Sequence, residues 1–150
     1  MKDLKETICA VITHRPMNRP NTRFLLLKSS KNKRWDFVKG QIKVNCKTGL
    51  KENDYETLYR ELKEETCIPV EKCNRPTFIG EYRTEIIIQN QERIRKTKRF
   101  YHISVDTKEV KLSDEHTNSE WLTYKKTKEK LVYQESKQIL KAGRGLGLYS

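Results

Sequence analysis

Three glutamates in one short segment, Arg60-Glu61-Leu62-Lys63-Glu64-Glu65, stand at i, i+3 and i+4. On a helix that spacing projects all three carboxylates from one side. Like charges so placed cost an isolated helix about 0.2–0.5 kcal/mol per pair unless open solvent or a cation relieves them. A hard divalent ion such as Mg2+ takes oxygen ligands, keeps several waters and shares its shell between carboxylates and substrate phosphates. Taken alone, the triplet is weak evidence for a metal, since most such runs are solvated helix faces. Its surroundings decide between the two.

The elements that would position these groups are legible in outline. Asn53 or Asp54 can cap a helix, Tyr55, Leu58, Tyr59 and Leu62 give it one apolar stripe, and Pro69 marks its end. Before it, Trp35–Val38 reads as extended chain and Gly40–Lys51 as an irregular loop carrying a second glycine, Gly49. Thr7–Thr13 and Arg23–Lys28 are predicted as an opening pair of strands, joined by a turn containing Arg15, Pro16, Asn18 and Pro20. Thr77–Gln89 and Ile94–Val105 read as two long strands with a hairpin turn near Asn90–Glu92, and Glu120–Tyr124 as a short strand. Leu131, Ile139 and Leu140 suggest one terminal helix over Thr127–Ala142, with Gly143 as its stop.

A chain of 150 residues without internal repeats or linkers suits one domain, 1–150, whose core needs no disulfide or zinc staple. With 32 Lys+Arg against 20 Asp+Glu the formal charge is +12, which favours polyanionic partners such as nucleotides, polyphosphates or RNA. A lysine-rich solvated surface would give the same count. The longest apolar run, Ile8–Ile12, is far short of the roughly 20 residues that span a bilayer. Met1–Lys5 has no signal-peptide pattern, so a cytoplasmic protein with no membrane partner is expected. Cys9, Cys46, Cys67 and Cys73 lack a paired C-x-x-C arrangement and are expected as free thiols. Oligomeric state is left open.

The wider spacing gives the acidic triplet a context. Glu52, seven further residues and then Arg60-Glu61-Leu62-x-Glu64-Glu65-x-x-Ile68 resemble the Nudix box, G-x5-E-x7-R-E-U-x-E-E-x-G-U with U a bulky aliphatic. Upstream, Trp35-Asp36-Phe37-Val38-Lys39-Gly40-Gln41-Ile42 is similar to the W-x-x-P-K-G-x-U lead-in of the branch containing diadenosine tetraphosphate hydrolases, with Val38 at the proline. Two features depart from the pattern. Cys67 stands at the closing glycine, and eleven residues rather than five separate Gly40 from Glu52, so six extra residues lie between Lys43 and Leu50.

The resemblance implies an α/β Nudix fold, an α/β/α sandwich around a mixed, curved sheet, and a loop-helix-loop that holds Mg2+ or Mn2+. Glu64 and Glu65 would be principal metal ligands, and Glu61 a further ligand or the base that deprotonates the attacking water. Arg60 would pair with Glu52, and Lys39, preceding Gly40, would add its backbone carbonyl. A second segment, Leu112-Ser113-Asp114-Glu115-His116-Thr117-Asn118-Ser119-Glu120-Trp121-Leu122, is similar to the L-S-x-E-H-x-x-x-x-W-L stretch of the same hydrolases. It nominates Glu115 as a remote metal ligand or base. His116 could shuttle protons or bond the backbone, and Trp121 is expected in the core.

Arg93–Tyr101 sits where related hydrolases carry substrate-binding groups, and Lys96, Lys98, Arg99 and Tyr101 are the substrate-binding candidates. Strand alternation puts Arg93, Arg95, Arg99 and Tyr101 on one face and Lys96, Lys98 and Phe100 on the other, so at most one set can face a site. A solvated edge strand is the competing reading. Lys43, Lys47 and Lys51, near the box, could extend a phosphate-binding rim. The activity implied is Mg2+-dependent hydrolysis of phosphoanhydride bonds in nucleotide substrates, first among them dinucleoside polyphosphates. Alternatives are removal of pyrophosphate from, or decapping of, an RNA 5' end, and a non-catalytic RNA-binding or regulatory protein of the same fold.

Overall fold

The computed structural model describes residues 3–15, 21–87 and 93–149. Strand β1 (Asp3–His14) lies in the middle of a mixed, open, seven-stranded sheet. Along one edge it pairs antiparallel with β4 (Val38–Gln41) over Thr7–Ala10, and with β2 (Arg23–Ser29) at Thr13 and His14. Along the other it runs parallel to β6 (Arg93–Ser104), which pairs antiparallel with β5 (Thr77–Ile87). β2 also pairs with the short β3 (Trp35–Asp36) and with β7 (His116–Leu122).

Alternation along β1 explains the layers. Ile8, Ala10 and Ile12 point to one face, where α1 (Asp54–Thr66) seats Leu58 and Leu62 beside Ile68, Leu25, Leu27 and Ile103. Cys9 and Val11 point to the other, among Phe24, Leu26, Phe100, Leu131, Ile139 and Leu140. Helix α3 (Gln134–Gly145) covers that second face, completing an α/β/α sandwich. Leu58 and Leu62 are 2% and 1% exposed, and burying a leucine contributes about 1.5–3 kcal/mol, so the stripe on α1 anchors its acidic face in a fixed direction.

The C-terminal region differs from the sequence expectation. Two helices, α2 (Tyr124–Lys130) and α3, replace the single one expected over Thr127–Ala142. Thr123 starts α2 early by accepting the Lys126 amide, and Leu131 then adopts an extended backbone (φ −63°, ψ 135°) that carries its side chain into the core. Gly143 is not a stop. It lies buried inside α3, where a Cβ would fall 2.2 Å from the Tyr149 hydroxyl oxygen. β7 begins at His116 instead of Glu120, because pairing with β2 extends from Leu122 back to His116, and ends where Thr123 turns into α2. The turns expected at Pro16–Pro20 and Asn90–Glu92 lie outside the described residues. Cys9, Cys46, Cys67 and Cys73 are free thiols, and no described helix is long and apolar enough to cross a membrane.

Candidate active site

The acidic helix starts and stops by identifiable local devices. Asn53 caps α1 by accepting the Glu56 amide while the Glu56 carboxylate accepts the Asn53 amide, a reciprocal capping box. At the other end Cys67 takes the left-handed conformation (φ 58°) and donates its amide to Lys63 O at 3.0 Å. That conformation is normally left to glycine. Replacing the expected glycine has therefore left the way the helix ends intact.

Between these ends, one oxygen from each of Glu61, Glu64 and Glu65 lies within 4.8 Å of the others. Arg60 organises the group. Its Nε and Nη2 donate to the two oxygens of Glu52 at 2.8 and 2.9 Å, and Nη1 donates to Glu61 at 2.6 Å and Glu64 at 3.2 Å. Nη2 also donates to the Gln41 carbonyl at 2.8 Å, tying α1 to β4. This pairing with Arg60, supported by the Lys43 amide and the Thr57 hydroxyl, holds the Glu52 carboxyl down at about 2. Burial pushes the Glu61 carboxyl up against the pull of Arg60, and the charges of Glu64 and Glu65 add to the rise.

Gly40 is where it is because Glu61 needs the space. A Cβ on Gly40 would come 1.9 Å from the Glu61 carboxyl carbon. The Lys39–Gly40 peptide thus borders the carboxylates, while the Lys39 side chain turns away to Asp36 at 3.2 Å and to the face of Tyr133. The six extra residues bulge out as a separate turn. Lys43 and Glu52 clasp its base, each amide donating to the other residue at 2.9 Å, and Asn45 and Gly49 (φ 69°) close its tip. Glu52 is consequently undisturbed by the longer loop. The proposed three-lysine rim does not assemble. Lys51 pairs with Glu6, Lys47 is exposed, and only Lys43 approaches the cluster, at 4.0 Å from Glu64.

The loop before β7 brings a fourth carboxylate. Both the amide and the hydroxyl of Ser30 donate to the Glu115 carbonyl, at 2.9 and 3.0 Å, fixing the loop against the turn after β2. Ser113 donates to Glu65 at 2.8 Å. Burial raises the Glu65 carboxyl, Ser113 opposes the shift, and the Glu115 carboxyl, within hydrogen-bonding reach, reinforces it. His116 Nδ1 lies 2.6 Å from Glu65, but off the ring N–H direction, so it forms no hydrogen bond there. Burial keeps this imidazole on the neutral side of its usual range. Trp121 belongs to the core edge, donating its indole N–H to Lys108 O.

The four residues nominated on β6 are not brought together. Arg99 and Tyr101 face α1, where Asp54 engages them: Arg99 donates to both of its oxygens, at 2.7 and 2.8 Å, and the Tyr101 hydroxyl to one. Lys98 faces the opposite side of the sheet and pairs with Glu135, and Lys96 lies exposed on that same side. Glu115 instead lines a cavity of about 380 Å³ opposite Tyr133, with Lys31, Arg34 and Lys39 as well as Asp36 and Asp114 around it. Arg34, Lys39 and Lys98 all stand within 5.7 Å of the Tyr133 ring centre. Arg34 and Tyr133 were not nominated from sequence. They come from the β2–β3 turn and the α2–α3 break, with no shared local pattern to connect them.

The cluster meets a basic test for a divalent cation: the carboxylates have several oxygens free of protein donors, burial and the neighbouring carboxylates push two of the groups up, and hard oxygen donors suit Mg2+ or Mn2+. The NUDIX domain family matches residues 9–142, and the chain belongs to that family. Among solved structures it is similar to an Ap4A hydrolase from C. elegans, in a binary complex, at 21% identity and TM-score 0.72, with 96% of this chain and 98% of that one covered. The NUDIX domain of Shewanella oneidensis NrtR, complexed with ADP ribose, gives 14% identity and TM-score 0.75 over 97% and 90%. A MutT protein from Methanosarcina mazei gives 24% and 0.64 over 97% and 96%. Comparison with curated protein sequences finds no match.

Proposed function

We propose that the chain hydrolyses phosphoanhydride bonds in nucleotide substrates with Mg2+ or Mn2+, and that dinucleoside polyphosphates are its preferred class. The observation that carries this reading is the Arg60-clamped carboxylate cluster, with Glu115 reaching Glu65 from one side and lining, on the other, a cavity that Lys31, Arg34, Lys39 and Tyr133 share. Glu61, Glu64, Glu65, Glu115 and the Lys39 carbonyl would hold the metal. Bound there, a divalent ion supplies a lowered water pKa and neutralises charge on the phosphate oxygens.

The protein's own groups do the rest. Arg60 fixes the directions of Glu61 and Glu64, so the carboxylates need no rearrangement when substrate arrives. Glu61 and Glu115 are the two candidates for accepting the water proton, each being either a further metal ligand or the base. Lys31, Arg34 and Lys39 place positive charge along the path of a polyphosphate, and the Tyr133 ring, with Arg34 and Lys39 over it, holds two of these cations at the cavity wall. A short run of three cations suits a small anion with a few phosphates. The net charge of +12 supports a second reading, an RNA 5' end, whose many phosphates would use the wider basic surface.

A side-by-side assay of diadenosine tetraphosphate and 5'-triphosphorylated RNA, with Mg2+ at two salt concentrations and Glu64→Gln as control, separates the readings. Faster cleavage of the dinucleotide with weak salt dependence and a dead variant is expected. Preference for RNA with steep loss at high salt would replace the substrate, and undiminished activity in Glu64→Gln would overturn the site.

A further inference from the structure

A cavity of about 660 Å³ lies apart from the one that Glu115 lines. It opens at the far end of β1 and β6, on the α3 face of the sheet, and shares no residue with the candidate active site. Thr13 and Ser104 line it from the strand ends, Arg15 from the chain just after β1, and Arg144 from the last turn of α3. Thr13 lies three residues beyond Ala10, the last β1 residue paired with β4, and its side chain leaves the opposite face from the one α1 covers.

The donors in this cavity are arranged for an anion. Two guanidiniums line it and no carboxylate does, so among the described residues its lining carries uncompensated positive charge. Arg144 is held in place by lying over the Tyr124 ring, 4.6 Å from its centre. The Ser104 hydroxyl accepts from Asn74 Nδ2 at 2.6 Å, which leaves its proton free to point into the cavity. His102 is tied to Thr13 at 2.7 Å, and burial drives its pKa down to about 4, so the imidazole adds no charge at neutral pH. Guanidinium pairs with hydroxyl donors are the usual means of holding phosphate oxygens, and the volume falls within the range of small-ligand sites.

We propose that this distal cavity binds a phosphate-bearing ligand no larger than a mononucleotide, through Arg15, Arg144 and Ser104, at a site separate from catalysis. The test is amide NMR on the full chain in EDTA, where the metal-free glutamate cluster repels anions, with inorganic phosphate and AMP titrated separately. Saturable shifts at Ser104, Gly147 and Leu148 are expected with one or both probes. Arg144→Gln should weaken them at least 10-fold while leaving Mg2+-dependent turnover unchanged, and Arg15→Gln should do the same. A larger response to AMP than to phosphate assigns part of the affinity to the nucleoside. Shifts confined to Ser30, Lys31 and Arg34, or distal shifts that both variants leave intact, would overturn the proposal.

Discussion

Replacing Arg60 with lysine tests whether the clamp orders the carboxylates. A guanidinium carries five N–H donors, and Arg60 makes five contacts: two to Glu52 and one each to Glu61, Glu64 and Gln41 O. Lysine keeps the charge but offers three donors from one point, so at least two charge-assisted bonds are lost together with the fork to Glu52. Such bonds contribute about 1.5–3 kcal/mol each. Because the side chain is 19% exposed, water recovers part of the loss, and a net destabilisation of about 2 kcal/mol is expected. For a domain of this size that lowers Tm by about 4–8 °C. With Glu61 and Glu64 no longer held, hydrolysis should fall about 10–100-fold and half-saturation by Mg2+ should rise. Differential scanning fluorimetry and a metal titration of turnover read both quantities. A Tm within about 1 °C of the parent, with an unchanged Mg2+ midpoint, would refute the claim that Arg60 positions the cluster.

Gly40→Ala should displace Glu61, costing about 1–3 kcal/mol by overpacking and most of the activity, with partial recovery on adding Glu61→Asp; full activity in the single variant would count against the contact. Cys67→Gly should raise stability by about 1 kcal/mol in chemical denaturation by relieving the left-handed backbone of a non-glycine residue. Glu61 and Glu65 titrate above their ordinary 4.5 in the fold, so protonation favours folding there and metal-free stability declines as pH rises from that value through the folded ones. Mg2+ should therefore raise Tm more at about pH 7.5 than at about pH 4.5. Glu52 contributes oppositely, its stabilisation being complete above 4.5 and lost as pH falls toward about 2; an acid unfolding curve that Glu52→Gln leaves unchanged would disprove this.

The acidic helix was legible because everything defining it is local: a cap at Asn53, an apolar stripe, and carboxylates three and four residues apart. The two long strands were legible for the same reason. The parallel pairing of β1 with β6 was not, since no short-range pattern records which distant strand lies alongside. Alternation on β6 split its residues correctly into two faces. It could not reveal that Asp54, seen in the sequence only as a possible cap, would occupy both Arg99 and Tyr101. Leu131 was read as one more turn of helix, because a buried leucine looks the same whether a helix or an extended break delivers it. That misreading also hid Tyr133, whose place beside the cavity depends on the break.

The two halves of the carboxylate cluster are mounted differently. Glu61, Glu64 and Glu65 ride on a capped helix bolted through Arg60 to β4, and β4 is hydrogen-bonded to the most enclosed strand of the sheet. Glu115 arrives on a stretch without regular structure, Asp106 to Glu115, pinned by a few bonds to Thr66, Ser30 and Glu65. Of the two halves, only the second can shift without unseating the helix. Exchanging this segment between relatives is then a way to move Glu115 while the helix stays as it is.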